Sequence, residues 1–343
     1  MEIFFIVLSV IVGLFVLFYL TIFAFAFYVH RRFFHRRYNG NKYLKYFKAD
    51  DFYGLKTETI SFQSDVGQYI HGYIYSYDQV KKPYGLIIFS HGFGAGHEAY
   101  TTEINTFAKA GFYVLAYDGT GCVGSEGKYF RGFDQGPIDL MSAYRFAESD
   151  PRLKDLRKIF VGHSWGAFSV MNAQLRANVC GAVAMCGFVS SAEIVAQTAI
   201  HRCRVLRKIF SDILRLLNRF EFGKNANQSC LDSLKDSNKP IFLLYGEKDQ
   251  TVLYRYNGAF LKNKLGDKKN IRFCSFKEKG HNVYLTVEAE EYMNNTFAQI
   301  AQKIKLDPGC ARELYNQVDY EKMTAEDPAI MGIIIDFCKK IVA

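Results

Sequence analysis

Gly162-His163-Ser164-Trp165-Gly166 is the stretch of this chain best suited to do chemistry. A short apolar run beginning at Lys158 leads into it, and helix-permissive residues continue from it to about Asn178. A serine hydroxyl is a poor nucleophile unless it is held clear of the backbone beside a base, and a sharp strand-to-helix turn gives Ser164 that exposure. Gly162 and Gly166 remove the Cβ atoms that would crowd the turn. The amide of Trp165, at the start of the following helix, faces the place where an acyl oxygen would gain charge. A Gly-x-Ser-x-Gly arises by chance in roughly one chain of this length in ten. Its weight therefore depends on the partners it finds.

A second oxyanion donor comes from the loop His91-Gly92-Phe93-Gly94-Ala95-Gly96, which follows the apolar run Gly85 to Ser90 and precedes a helix at about Thr101 to Ala110. The loop lacks the Lys-Ser/Thr of a phosphate-binding loop and the spacing of a dinucleotide fingerprint. The amide of Phe93 is the candidate donor, with Gly92 and Gly94 allowing a substrate carbonyl to come close; a plain turn is the competing reading. For the base, only one of the eight histidines, His281, lies after Ser164 and also after a strand-end acid. His201 falls in a helical segment with no such acid before it, and His163 is the elbow neighbour. For the acid, Glu247 and Asp249 both follow the apolar run Pro240 to Tyr245; Gly246-Glu247-Lys248-Asp249 lets the chain turn before Asp249, which would orient His281. Asp118 is read as structural.

The elements that must position these groups are legible as a pattern. Thr57 to Phe62 and Gln68 to Tyr77 alternate about a Ser64-Asp65-Val66-Gly67 turn, a hairpin. Continuous apolar runs at 85–90, 112–117, 158–161, 181–186, 240–245 and 271–276 read as buried strands, with helical segments between them. That alternation predicts an α/β fold with a doubly wound, mainly parallel sheet. A closing helix is expected over Tyr284 to Lys305. The tail after it holds two turns and a short helix, Ala329 to Ile341, packed on the domain edge.

Taken in order, HGFGAG, DGTGCVGSEG, GHSWG, GEKDQTV and EKGHN resemble the α/β-hydrolase superfamily, most of all its serine aminopeptidase and monoacylglycerol-lipase-like branch. The resemblance runs from about Lys56 to Lys305. It implies the α/β-hydrolase fold and a Ser164, Asp249, His281 triad, and its acid motif matches at Asp249. One segment departs: after Asp118 related enzymes usually carry Arg-Gly, and here Thr120-Gly121 stands with Val123 where another glycine would sit. That puts the geometry of the site floor in question.

Ile3 to Val29 carries no charge over 27 residues, about 40 Å as a helix and enough to span a bilayer with tilt. A transmembrane anchor over residues 1–30 is the reading; a cleavable signal peptide is the rival, with Ala24-Phe25-Ala26 as its cleavage site. Part of the net charge of +9 lies just beyond it, at Arg31, Arg32, Arg36, Arg37, Lys42, Lys45 and Lys48. Positive charge so placed suits lipid headgroups and puts the remaining residues in the cytoplasm. No nucleic-acid motif is present. Residues 31–55 read as a basic juxtamembrane linker, either interfacial or solvated, and 56–343 as the hydrolase domain. The eight cysteines show no metal-ligand spacing or disulfide framework, and no cofactor is implied.

About fifty residues, 188–238, separate two core strands and are read as a helical cap. Within it His201 to Phe220 is basic and amphipathic. It either covers the pocket and faces water with its charges, or lies on anionic lipid. The sequence thus points to a membrane-anchored serine hydrolase acting on a carboxylic ester, lipid-like or small. An acyltransferase, an aminopeptidase-like amide hydrolase and a non-catalytic membrane-tethered binding protein are the alternatives. Oligomeric state is not legible.

Overall fold

The apolar runs form the strands they predict, and the central ones are buried on both faces. A computed structural model of the chain describes every residue except His201, so the helical segment expected from His201 begins outside the described residues. The strands are β1 (Leu55–Gln63), β2 (Tyr69–Tyr77), β3 (Leu86–Ser90), β4 (Tyr113–Tyr117), β5 (Lys158–His163), β6 (Gly181–Met185), β7 (Ile241–Gly246) and β8 (Ile271–Phe276). They make one eight-stranded sheet in the order β1-β2-β4-β3-β5-β6-β7-β8. β2 is antiparallel to β1 and β4, and every other pairing is parallel. In β3, β5, β6 and β7 every residue is buried, as strands covered by helices on both sides require.

Strand alternation divides the core. Ile87 and Phe89 pack with Val161, Val183 and Leu244 on one face, under the helices Thr101–Lys109 and Pro328–Val342. Leu86 and Ile88 pack with Leu115 and Phe160 on the other, under Gln135–Ser149 and Trp165–Ala173. The C-terminal helix is thus a core layer, where the sequence had suggested an edge. Ile330, Met331, Ile334, Cys338 and Val342 are all buried, and the Arg157 guanidinium donates to the last carbonyls of that helix, Val342 at 3.1 Å and Ile341 at 3.2 Å. The helix that precedes the tail is observed at Val287–Leu306.

Glu2–Phe34 is one unbroken helix of 33 residues, long and apolar enough to cross a membrane. Every residue of Glu2–Thr21 is exposed. From Ile22 onward one face, Ile22, Ala26, Val29, His30 and Phe34, turns inward, the spacing of one side of a helix. The stretch expected to be a linker is tied to the domain: the Arg37 guanidinium donates to the carbonyls of Gly127, Val123 and Ser125 at 2.6, 2.9 and 2.9 Å, and Tyr38 is buried. Between β6 and β7 the chain forms Ser191–Ala199, Arg204–Phe222 and Cys230–Asp236. The second of these lies along the lower third of the N-terminal helix, with Phe25 and Phe210 ring centroids 5.5 Å apart.

Candidate active site

Ser164 sits between β5 and the helix Trp165–Ala173 with φ 55 and ψ −114, a left-handed backbone that a non-glycine residue adopts only under constraint. The constraint is steric. A Cβ on Gly162 would meet the backbone of Gly166, and a Cβ on Gly166 would collide with the carbonyl of Ser90 on the neighbouring strand. The amide of Ser164 donates to the Met185 carbonyl at 2.8 Å, holding the turn to β6.

The structure brings together the three side chains that the sequence had ordered as a triad. His281 Nε2 is 2.9 Å from Ser164 Oγ, and His281 Nδ1 is 2.7 Å from Asp249 Oδ2. The pattern assigns the tautomer: Nδ1–H donates to the carboxylate and Nε2 is left to accept from the hydroxyl. Asp249 is buried, and its other oxygen accepts from the amides of Thr251 and Val252, each at 2.8 Å. Glu247 turns outward and accepts from the Ser275 hydroxyl. Among the described residues neither the Phe93 nor the Trp165 amide donates to a protein acceptor. Gly94 takes φ +97 with open space around its Cβ direction.

Behind these groups runs a relay that the sequence did not reveal. The Gly92 amide donates to Tyr100 Oη at 3.0 Å, the Tyr100 hydroxyl donates to His163 Nδ1 at 2.9 Å, and His163 Nε2–H donates to the backbone carbonyl of His281 at 2.9 Å. One chain of hydrogen bonds thus joins the glycine loop, the elbow and the histidine loop. Burial, then the neighbouring His281, hold His163 well below the usual imidazole range, so it stays neutral and keeps this one donor arrangement. His91 acts similarly on the other side of the loop: Nδ1–H donates to the Gly92 carbonyl and Nε2 accepts from the Gly119 amide.

The histidine loop is gripped from the C-terminal side. Glu290 accepts from the amides of Gly280 and Asn282 at 2.9 and 2.8 Å, and the buried Lys279 ammonium reaches Asp327 at 2.7 Å. Next to Asp327, Glu326 accepts from the Thr106 hydroxyl, and Glu103 is fully inside the protein beside it. Burial pushes Glu326 up to about 7 and, with the charge of Glu326, pushes Glu103 well above the usual carboxylate range. The signal available in sequence was only an apolar helix with interspersed acids.

The segment after Asp118, where the motif departs from its relatives, is closed by Asp139. Its oxygens accept from the Thr120 amide and hydroxyl at 2.7 and 2.9 Å. Thr120 therefore ties the floor of the site to the helix Gln135–Ser149. Above it the Phe93 ring packs on Tyr38, Phe130 and Phe133 at 4.4, 5.0 and 5.2 Å. Phe34, the last residue of the N-terminal helix, packs on the same Phe133 at 5.2 Å.

The donor atoms of His163, Cys186 and His281 lie within 4.8 Å of one another. They make a poor metal site, because all four ring nitrogens are committed to hydrogen bonds and burial, then the charge of Asp249, push the Cys186 thiol well up, keeping it protonated. All eight cysteines are free.

The fold of this chain is similar to that of solved hydrolytic enzymes. An esterase from Pyrococcus furiosus matches with a TM-score of 0.59 at 15% identity, over 90% of this chain and 98% of the other. The chain has the α/β-hydrolase fold. The Pyrococcus horikoshii acylaminoacyl peptidase is similar at a TM-score of 0.50 and 17% identity, covering 68% of this chain and 38% of that one. Residues 81–221 match the family model described as serine aminopeptidase, S33. The comparison with curated proteins gives no match. Within this fold the matched segment contains the glycine loop and the elbow but stops before Asp249 and His281.

Proposed function

We propose that this α/β hydrolase is a membrane-anchored serine hydrolase cleaving a carboxylic ester, lipid-like or small, through an acyl-enzyme. The observation that supports it most is the 2.9 Å approach of Ser164 Oγ to His281 Nε2, with Asp249 on the far nitrogen. Ser164 Oγ attacks the acyl carbonyl while His281 takes its proton. The resulting imidazolium is stabilised by Asp249, and the oxyanion receives the amides of Phe93 and Trp165. His281 then hands the proton to the departing alcohol. Water, deprotonated by the same imidazole, attacks the acyl-Ser164 carbonyl and releases the acid.

The N-terminal helix is the anchor in this reading, and Arg31, Arg32, Arg36 and Arg37 at its C-terminal end favour a cytoplasmic domain. Residues 188–238 act as the cap. The ester substrate is argued from apolar surroundings: the rings of Phe93, Phe130 and Phe133 cluster beside the oxyanion loop. Amide hydrolysis is the second reading, favoured by the description of the family model. An aminopeptidase needs a carboxylate to receive the substrate ammonium. Here Glu290 is engaged with two amides and Asp118 with His97.

The test is labelling of the detergent-solubilised full chain with a fluorescent fluorophosphonate, followed by p-nitrophenyl esters of graded acyl length beside aminoacyl p-nitroanilides. Labelling lost in Ser164→Ala and sharply reduced in His281→Ala, with ester turnover exceeding anilide turnover, is the expected result. Product analysis with added alcohols separates acyl transfer from hydrolysis. A folded wild type that takes no label would overturn the enzyme reading in favour of a binding protein.

A further inference from the structure

The N-terminal helix and Arg204–Phe222 stand side by side. Phe25 faces Phe210 with ring centroids 5.5 Å apart, and further along Phe34 and Phe222 meet at Gly132, where a Cβ would touch the two rings at 3.8 and 3.2 Å. The pairs follow one another in the same chain direction, so the helices run parallel. Arg204, six residues before Phe210, is therefore level with Tyr19, six before Phe25. The two line one open groove. From Glu2 to that level the N-terminal helix measures about 27 Å, close to the hydrocarbon thickness of a bilayer. On the anchor reading, Arg204–Phe222 thus rises away from the bilayer, and its start is the part that stands at the surface.

Charge is spread unevenly along this segment. Residues 202–208, Arg-Cys-Arg-Val-Leu-Arg-Lys, hold four basic side chains and no acid, whereas 209–222 balance Arg215 and Arg219 against Asp212 and Glu221. Positive charge at a helix start opposes the macrodipole, and no acid stands in the first turn to offset it. Neighbours neutralise little of it. Lys208 pairs with Asp212 at 3.1 Å, while Arg207 and Arg255 lie on the Tyr256 ring at 4.7 and 4.5 Å. Among the described residues Arg202 and Arg204 have no carboxylate within ion-pair distance. Arg202, Arg204, Val205, Lys208 and Arg255 are all exposed. Arg31, by contrast, lies twelve residues beyond Tyr19, about 18 Å further from the hydrocarbon and well past a Debye length of roughly 8 Å.

We propose that residues 202–208, with Arg255 beside them, form a basic foot by which the cap segment stands on anionic headgroups. The partner is an anionic phospholipid surface, chosen over an acidic protein because the unneutralised charge sits at one end of the helix and that end coincides with the end of the spanning length. The cap, and not the arginines at the end of the N-terminal helix, then supplies the positive charge within reach of the headgroups. The domain is held to the bilayer at two places, one apolar and spanning, the other charged and superficial. This rests on the reading of Glu2–Phe34 as a membrane anchor.

The experiment uses the full chain reconstituted into phosphatidylcholine vesicles with and without phosphatidylglycerol, the acyl chains brominated near the headgroup. Val205→Trp, at a position 68% exposed, places an indole in the foot. Phe220→Trp places one about 22 Å higher on the same helix, and Leu14→Trp reports on the anchor. The native Trp165 is buried and supplies a constant background. We expect the Leu14→Trp indole to be quenched in both vesicles, the Val205→Trp indole severalfold more in the anionic ones, and the Phe220→Trp indole in neither. The combined change Arg202→Glu, Arg204→Glu and Lys208→Glu in the Val205→Trp background removes the anionic excess, with the fold checked by circular dichroism. A Val205→Trp indole quenched equally in both vesicles, or in neither beside a quenched Leu14→Trp indole, overturns the proposal; if it is unquenched yet blue-shifted, another protein covers the foot. Quenching at Phe220→Trp overturns the upright geometry. A Leu14→Trp indole that is not quenched removes the anchor itself, and the foot with it.

Discussion

Ser164, His281 and Asp249 are set by hydrogen bonds of 2.7 and 2.9 Å, whereas Phe25 and Phe210, 5.5 Å apart, are set by packing alone. The first kind of contact admits one partner atom and one direction; the second admits any apolar neighbour of suitable size. The end of the molecule that holds the candidate triad is therefore organised by named polar atoms arriving from distant loops. The seam between the N-terminal helix and Arg204–Phe222 is organised by area. The two ends meet at Phe133, which packs on Phe34 at 5.2 Å and whose carbonyl accepts from the Trp165 indole N–H at 2.9 Å.

The contrast can be broken most severely at the triad. Asp249→Asn keeps the shape but offers His281 Nδ1 the wrong partner, and we expect kcat to fall roughly 10⁴-fold, measured on a soluble ester with the fold checked by circular dichroism. A smaller change tests whether directional bonds matter one layer back. Tyr100→Phe removes the hydroxyl that the Gly92 amide and His163 share, and a loss of roughly tenfold in kcat with little change in KM is expected. Unchanged kcat in Tyr100→Phe, which keeps the ring and fills the space, would make the relay mere packing.

The buried acids sharpen the comparison through pH. The folded value of Glu326, about 7, lies above its ordinary 4.5, so folding favours the protonated form. The stability this contributes is complete below about 4.5 and is lost as pH rises through about 7. Glu326→Gln should flatten that decline and raise Tm by roughly 2–5 °C at about pH 8, read by thermal denaturation across pH; an unchanged slope assigns the dependence elsewhere. The smallest effect belongs to the seam. Phe25 is 46% exposed, so Phe25→Ala should cost only about 1 kcal/mol in denaturant unfolding and leave turnover of soluble esters within about twofold. A large loss of turnover would show that packing at the seam positions the site after all.

The same division decides what could be read in the sequence. Ser164 was legible because its backbone demands glycine at 162 and 166, and local demands leave local marks. Asp249 was legible because it follows a strand by one turn. Glu290 and Asp327 were not, since nothing near an acid records which distant amide or ammonium it will meet. His163 looked like a neighbour of the serine only, because its two partners lie 63 and 118 positions away. The first two strands were legible from their alternation about a turn, and the other six from their continuous apolar runs. The docked face at Ile22, Ala26, Val29, His30 and Phe34 was hidden inside a run so uniformly apolar that no period stood out. The C-terminal helix was recognised as a helix, but its burial in the main core depends on the sheet face beneath it, which the sequence of the helix does not record.

The helix Glu2–Phe34 runs its whole length without a break. A domain joined to a span by flexible chain sweeps a hemisphere and can search the nearby solution. On the proposal that this helix spans a membrane, the domain stands on a mast. With Phe34 packed into the same aromatic group as Phe93, height and heading above the bilayer would be fixed together. The domain's reach would then be close to zero, and a substrate would have to come to it along the plane of the membrane or by its own diffusion.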